Sequence, residues 1–331
     1  MDLRTLGRTN LTVSRLGVGL AALGRPGYAN LGHGADLAYD YDVNAMAART
    51  HAVLDAAWDA GVRYFDTARS YGRGEEFLAT WLSTRRIAPA AVTVGSKWGY
   101  TYTAEWRVEA AQHEVKDHSL GVLRRQIGES RALLGAQLDL YQIHSATLDS
   151  GVLDNHAVLD ELARLRAEGV AIGLTLSGPR QADTLRRAMA IRIGGAPLFD
   201  CVQATWNLLE GSAAPALRAA HAAGLGVIIK EPLANGRLTD RNIDASFAAQ
   251  RRALERVASR LHTTLDALAL AAVLAQPWVD VVLSGAATVP HLQSNVTALT
   301  VAWDEATADS LMAVGETPEH YWATRSRFPW N

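Results

Sequence analysis

VRYFDTARSYG, residues 62–72, starts as a β-branched and aromatic run and ends on Asp66, Thr67 and Tyr71. Val, Tyr and Phe suit a pleated, buried strand, and polar residues at its C-terminal tip are where a barrel enzyme keeps its chemistry. The same form recurs downstream: VTVGSKW from Val92 carries Lys97, and LDLYQIHS from Leu138 closes on His144. Further runs of this kind are RLGVGL from Arg15, AIGLTLS from Ala171, CVQATWN from Cys201, GVIIKEPL from Gly226 and VDVVLSGA from Val279, which makes eight. Segments of helical period separate them; in TLRRAMAIRI from Thr184, Leu185, Ala188, Met189 and Ile193 share one face. Eight right-handed βα units predict an α/β fold of the (β/α)8 TIM barrel type. Ahead of the first strand, LRTLGRTNLTVS reads as two short strands around Gly7-Arg8-Thr9-Asn10, an N-terminal β-hairpin placed to close the barrel floor. The rhythm runs without a break in composition, so residues 1–331 read as a single domain.

Composition narrows the function. With 49% hydrophobic and 20% charged residues the chain can bury a large core, and 34 acidic residues against 32 basic ones leave a net charge of -2. A nucleic-acid binder would carry a basic excess or stripe, so no polyanion partner is expected. LDALALAAVLAQPWV is too short to span a bilayer and reads as a buried helix, so no membrane partner is expected either. MDLRTLGRTN lacks the basic start and apolar stretch of a signal peptide, and a cytoplasmic protein is expected. Cys201 is the single cysteine, inside an apolar run, which excludes an intrachain disulfide and any cysteine-based zinc site. No His-x-His pair offers a metal site and no GxSxG elbow offers a serine nucleophile, so no metal is expected.

Asp66, Tyr71, Lys97 and His144 form a proton-transfer set. A phenol is neutral at pH 7 and gives up its proton only when neighbours ease the charge that gathers on its oxygen. An ammonium at Lys97 would do so, Asp66 would hold that ammonium charged and aimed, and His144 would hydrogen-bond the substrate oxygen or relay a proton. No side chain donates hydride, so the set calls for a reduced nicotinamide.

The ordered motifs Asp66-Thr67-Ala68, Tyr71-Gly72, Ser96-Lys97 and Ile143-His144, with LGRTNLTVSRLGVG at the N-terminus, resemble the aldo-keto reductases over essentially the whole chain. The resemblance implies a barrel oxidoreductase that reduces aldehydes or ketones, or oxidises alcohols or lactols, as bacterial sugar and pyridoxal dehydrogenases of this fold do. It implies Tyr71, Lys97, Asp66 and His144 as catalytic residues and a nicotinamide cofactor bound without a Rossmann domain. A nucleotide-binding regulatory role, as in a related potassium-channel β subunit, is a further implication, and the complete tetrad argues against it.

The resemblance also implies cofactor contacts. After the eighth strand, SGAATVPHLQSN offers Ser284, Gly285, Ala286 and Thr288 as amides or hydroxyls, with Gln293 and Asn295 toward the adenine. A Lys or Arg for the 2′-phosphate is missing between Ser284 and Val301; NADP(H) is slightly favoured by the family pattern, with NAD(H) as the other reading. Gln203 matches the residue that holds the carboxamide, while Thr175 and Ser177 flank Leu176 where the family has a Ser-Asn pair. Lys230 stands where an aromatic usually stacks on the nicotinamide; it would pair Glu231 or reach a cofactor phosphate or an acidic substrate group. Leu233, Asn235 and Arg237 match a loop that folds over the pyrophosphate, with Arg237 as its phosphate partner.

Loops and aromatics bear on the substrate, a small-molecule carbonyl or alcohol. Gly24 to about Asn44 and GYTYTAEW after Trp98 would overhang the active face, and Trp98, Tyr100 and Trp206 would give a flat-walled apolar pocket. HEVKDHS from His113 reads as a loop or helix start, with a substrate-side contact as the other reading. The aromatic tail with Tyr321, Trp322, Phe328 and Trp330 must pack on something, either outside the barrel or along the pocket.

Overall fold

Each expected strand forms within one or two residues of the start of its run, and the set closes on itself. The computed structural model covers residues 1–331. Its strands are β1 (Leu16–Gly19), β2 (Tyr64–Asp66), β3 (Thr93–Trp98), β4 (Leu140–Ala146), β5 (Ala171–Leu176), β6 (Cys201–Thr205), β7 (Gly226–Lys230) and β8 (Val281–Ser284). Every neighbouring pair is parallel, and β8 pairs with β1 to complete the barrel. Helices α1 (Val43–Asp59), α2 (Gly74–Thr84), α3 (Leu120–Leu134), α4 (His156–Ala167), α5 (Gln181–Met189) and α6 (Ala214–Ala222) follow β1 to β6 in turn. Between β7 and β8 lie α7 (Ala248–Arg260) and α8 (Leu265–Leu274); α9 (Val289–Thr297), α10 (Glu305–Leu311) and α11 (Pro318–Ser326) follow β8.

Side-chain caps start several helices. Asp42, Ser119, Asn155, Thr264, Thr288 and Thr317 each accept from a backbone N–H of the first turn, which satisfies donors the helix itself leaves free. No single helix is long and apolar enough to cross a membrane. α8, the most apolar segment, is buried from Ala267 to Val273 within the protein.

Period-two alternation divides each strand between two environments. Outward residues such as Val18, Phe65, Val94, Trp98, Ile143 and Leu174 pack against the helices. Inward ones near the floor, Tyr64, Leu140, Cys201, Ile228, Val281 and Leu283, pack around Leu6 and Val13. Those two belong to the N-terminal hairpin, Leu3–Thr5 paired antiparallel with Thr12–Ser14, so the hairpin does plug the barrel. Gly95 on β3 lets the Tyr64 ring fit, since a Cβ there would stand 2.6 Å from its hydroxyl. Higher up, the inward positions turn polar: Asp66, Lys97, Gln142, Gln203 and Lys230.

Within the segment from His113, Ser119 starts α3 as expected, and ahead of it lies a short strand that was not expected. Glu114–Lys116 pairs antiparallel with Tyr100–Tyr102, forming a hairpin that stands over the β3 end. The tail divides its aromatics: Tyr321 and Trp322 are buried against Leu209, Leu238 and Phe247, while Trp330 stacks on His113 with ring centroids 4.1 Å apart.

Candidate active site

Asp66, Lys97 and His144 rise from β2, β3 and β4 on the inward side, and Tyr71 comes from the turn after β2. Lys97 is 1% exposed, and its three protons have three acceptors: Asp66 Oδ2, Thr67 O at 2.9 Å and Tyr71 Oη at 3.3 Å. Asp66 Oδ1 accepts from Tyr64 Oη at 3.2 Å, Gln142 Nε2 at 3.2 Å and Gln203 Nε2 at 3.0 Å. The carboxylate is thus fixed on every side, and it fixes the ammonium. Because Tyr71 Oη accepts from Lys97, its own proton is free to point into the cavity.

His144 meets the Tyr71 ring edge-on at 5.5 Å, with Nδ1 3.5 Å from Ser70 Oγ. Its backbone is held in an unusual shape: β4 bulges after Ile143, and Ser145 adopts φ 52°, the left-handed region that non-glycine residues avoid. Three side chains clamp the bulge. His118 Nε2 donates to His144 O at 2.9 Å, Thr175 Oγ1 accepts from Ser145 N at 2.7 Å, and Lys116 Nζ donates to Ser145 O at 2.8 Å. Gly99, at φ 107°, makes room for His118, whose ring a Cβ would meet at 2.2 Å.

Charge and burial set the protonation states. Burial pushes the Tyr71 phenol well up and Asp66 adds to the push, while the Arg25 guanidinium opposes both. Burial likewise lowers Lys97, with Asp66 pulling it back. His144 is held far below the usual imidazole range, first by burial and then by Lys97, Lys230 and Arg25. At rest the site therefore offers a protonated phenol and a neutral imidazole.

Arg25 was not singled out in the sequence, because it sits in an aperiodic loop. It is 4% exposed, lies 5.3 Å over the Tyr71 ring, pairs with Glu114 at 2.9 Å and carries Trp330 on its other side at 4.6 Å.

These groups line one end of a cavity of about 1040 Å³. Tyr71, His144, Gln203, Ser177, Tyr100, Glu114, Lys230 and Arg325 stand there; Leu233, Asn235, Ser284, Gly285 and Ala286 continue it, and Asn295, Asp266 and His291 close the far end. Asn235 Nδ2 donates to Ala29 O at 2.8 Å, tying the loop after β7 to the loop after β1 across the cavity. A cavity of this volume, lined by Tyr71 and His144 and also by Ser284, Gly285 and Ala286, has room for a dinucleotide.

Several expected positions lie elsewhere. Trp98 is fully buried and Trp206 packs edge-on against Trp278, both outside the cavity; Tyr100 does line it, beside the charged Arg25, Glu114, Lys230, Glu231 and Arg325. Strand alternation accounts for Trp98, since Lys97 faces in and its neighbour must face out. Thr175 is spent on Ser145 N, so Ser177 alone of that pair reaches the cavity. Arg237 is no phosphate partner: it is 8% exposed and pairs with Glu316 outside the cavity. Thr288 caps α9, and Gln293 points to solvent on the face opposite His291 and Asn295. Missed in the sequence, besides Arg25 and His118, were Arg241 and Arg251 from the long segment after β7, which line the far end.

The Aldo/keto reductase family model matches residues 16–316. The chain is 25% identical over 323 residues to an uncharacterized oxidoreductase, YqkF, of Bacillus subtilis (strain 168), covering 90% of this chain and 91% of that one. It is 32% identical over 162 residues to the pyridoxal 4-dehydrogenase of Microbacterium luteolum, covering 43% of this chain and 42% of that protein. The holo form of aldo-keto reductase AKR11C1 from Bacillus halodurans superposes with a TM-score of 0.73 at 21% identity, covering 96% of this chain and 97% of that one. A closed barrel with Asp66, Tyr71, Lys97 and His144 gathered at its mouth and a family match over nearly all of its length lead to one assignment: the chain belongs to the aldo/keto reductase family of oxidoreductases.

Proposed function

We propose that the protein interconverts aldehydes or ketones and their alcohols with NAD(P)(H), and that Tyr71 is the general acid and base. The observation that carries the reading is the Lys97 ammonium donating at once to Asp66, Thr67 O and Tyr71 Oη at the end of the cavity. When bound, the nicotinamide supplies hydride to the carbonyl carbon. As the carbonyl pair moves onto oxygen, Tyr71 passes its proton to that oxygen and becomes phenolate. Lys97 stabilises the phenolate through the hydrogen bond it already donates, and Asp66 keeps Lys97 charged without moving. His144, neutral, donates to the same oxygen and orients the carbonyl. Ser177 and Gln203 would hold the carboxamide, and the backbone of Ser284–Ala286 with Leu233 and Asn235 would line the pyrophosphate.

The far end of the cavity favours NAD(H), against the leaning drawn from the family pattern. Arg241 is paired with Asp36 and Arg251 with Glu255, so each cation there has its own carboxylate. Asp240 and Asp266 add negative charge that would repel a 2′-phosphate and accept from a ribose hydroxyl instead. The oxidising direction on a lactol is a second reading, supported by the likeness to a pyridoxal 4-dehydrogenase; it needs phenolate, which burial and Asp66 disfavour, and so belongs to alkaline pH.

The test is a rate screen of NADH and NADPH against aldehydes, ketones and aldoses in both directions, with the affinity of each nucleotide measured by fluorescence. Carbonyl-dependent oxidation of NADH, with NADPH weaker, is expected. Nucleotide binding without turnover of any carbonyl or alcohol would overturn the reading.

A further inference from the structure

Lys230 ends β7 with its ammonium in the cavity and makes no hydrogen bond to the protein. Its side chain is 16% exposed, and Glu231 Oε1, its ion-pair partner, is 3.6 Å away, beyond hydrogen-bond reach. That carboxylate is already occupied: Arg325 Nε donates to its two oxygens at 2.9 and 3.0 Å, and Thr205 Oγ1 donates to Oε2 at 3.2 Å. Arg25 has Glu114. Beside the Lys97–Asp66 pair, the wall near Tyr71 and His144 thus sets Arg25, Lys230 and Arg325 against Glu114 and Glu231, and Lys230 is the cation of the three with no carboxylate within hydrogen-bond distance.

An ammonium whose one nearby carboxylate is shared with Arg325 and Thr205 keeps protons to give, and an anion that accepts them makes a strong contact. Resting on the carbonyl chemistry proposed above, we propose that the substrate carries an anionic group, a carboxylate or a phosphate, and that Lys230 holds it while Tyr71 and His144 hold the carbonyl oxygen. The groups facing Lys230 are Glu231 beside it, Arg325 and Trp322 from α11, Lys97 from β3 and His144 from β4. Burial pushes the ammonium down to about 8, with Arg325 and Lys97 adding to the push and Glu231 opposing it. The lysine is charged at neutral pH and loses its charge just above it, so the hold on an anion is present below about 8 and lost as pH rises through that value.

The experiment compares kcat/KM for matched anionic and neutral carbonyls: succinic semialdehyde and its methyl ester, 4-carboxybenzaldehyde and its methyl ester, D-glyceraldehyde 3-phosphate and D-glyceraldehyde. At pH 7 the anion of at least one pair should be favoured by about tenfold, the worth of a charge-assisted hydrogen bond. That advantage should fade above pH 8, shrink to about twofold in Lys230→Met and survive in part in Lys230→Arg. Absence of any anion preference, or a preference untouched by Lys230→Met, overturns the proposal. So does a Lys230→Met variant that keeps the ratio but binds NADH about tenfold more weakly, since the lysine would then serve the cofactor's phosphates. If nucleotide binds but none of these compounds turns over, the oxidoreduction reading fails on its own account, and calorimetry with benzoate and benzamide decides the subsite. Tighter benzoate binding that is lost in Lys230→Met upholds it, and equal binding of the two overturns it.

Discussion

Replacing Lys97 with Met would separate the two things this residue does. The ammonium and the Asp66 carboxylate are 1% and 2% exposed, so removing one partner strands the other as a buried charge. Breaking such a pair costs about 3–5 kcal/mol. Asp66 keeps three donors, Tyr64, Gln142 and Gln203, all on Oδ1, which argues for about 3 kcal/mol, the lower end of that range. Adding Asp66→Asn removes the stranded charge and should restore about 2 kcal/mol, leaving mainly the cost of an unsatisfied Thr67 carbonyl. Urea unfolding of wild type, both single variants and the double variant gives the coupling directly. Carbonyl reduction should stay down by at least about a hundredfold in Lys97→Met and in the double variant alike, because stability returns but the donor to Tyr71 does not. A Lys97→Met protein as stable as wild type, or a double variant whose losses simply add, would refute the reasoning about the buried pair.

Two other expectations follow from the electrostatics. His33 and His118 are both pushed down to about 4, chiefly by burial, whereas an unfolded imidazole titrates near 6.5. The unfolded chain binds these protons first, so stability should fall as pH drops from about 6.5 toward 4, by about 1.4 kcal/mol per pH unit for each histidine. Urea unfolding at pH 7, 6 and 5 checks this, and a flat profile would contradict it; His118→Gln should remove one share of the slope. Arg25→Met takes away a second cation that favours the Tyr71 phenolate, beside the Lys97 donor, so the pH at which alcohol oxidation begins should rise. An unchanged profile in that variant would leave Arg25 as a packing residue only.

Strands and their chemical tips were readable because both follow local rules: short β-branched runs, several of them with a polar residue at or near the C-terminal end. Asp66, Lys97 and His144 announce themselves as charges or an imidazole inside otherwise apolar runs. Two misplacements were avoidable by the same rules, since alternation turns Trp98 away from Lys97, and helical period sets Gln293 opposite His291 and Asn295. Arg25 and Arg325 were not readable, because each reaches the site from a loop or the last helix through contacts distant in sequence, and HEVKDHS stood out in the sequence without showing that Glu114 pairs with Arg25 or that His118 holds His144 O. Arg237 misled for the reverse reason: its loop matches the family, but Glu316, far along the chain, claims the guanidinium. The charged groups beside Tyr71 come together only when these segments converge.

The central claim is that Tyr71 delivers a proton to a carbonyl that receives hydride from a nicotinamide. Its most direct test is a single-turnover reaction of the protein with 4,4-dideuterated NADH or NADPH and a reducible aldehyde, followed by mass analysis of the alcohol, for wild type and Tyr71→Phe. One deuterium on the carbinol carbon is expected from wild type, with transfer in Tyr71→Phe slowed by at least about a hundredfold while nucleotide still binds. Label that never reaches the product, or transfer at an equal rate without the Tyr71 hydroxyl, would contradict the account.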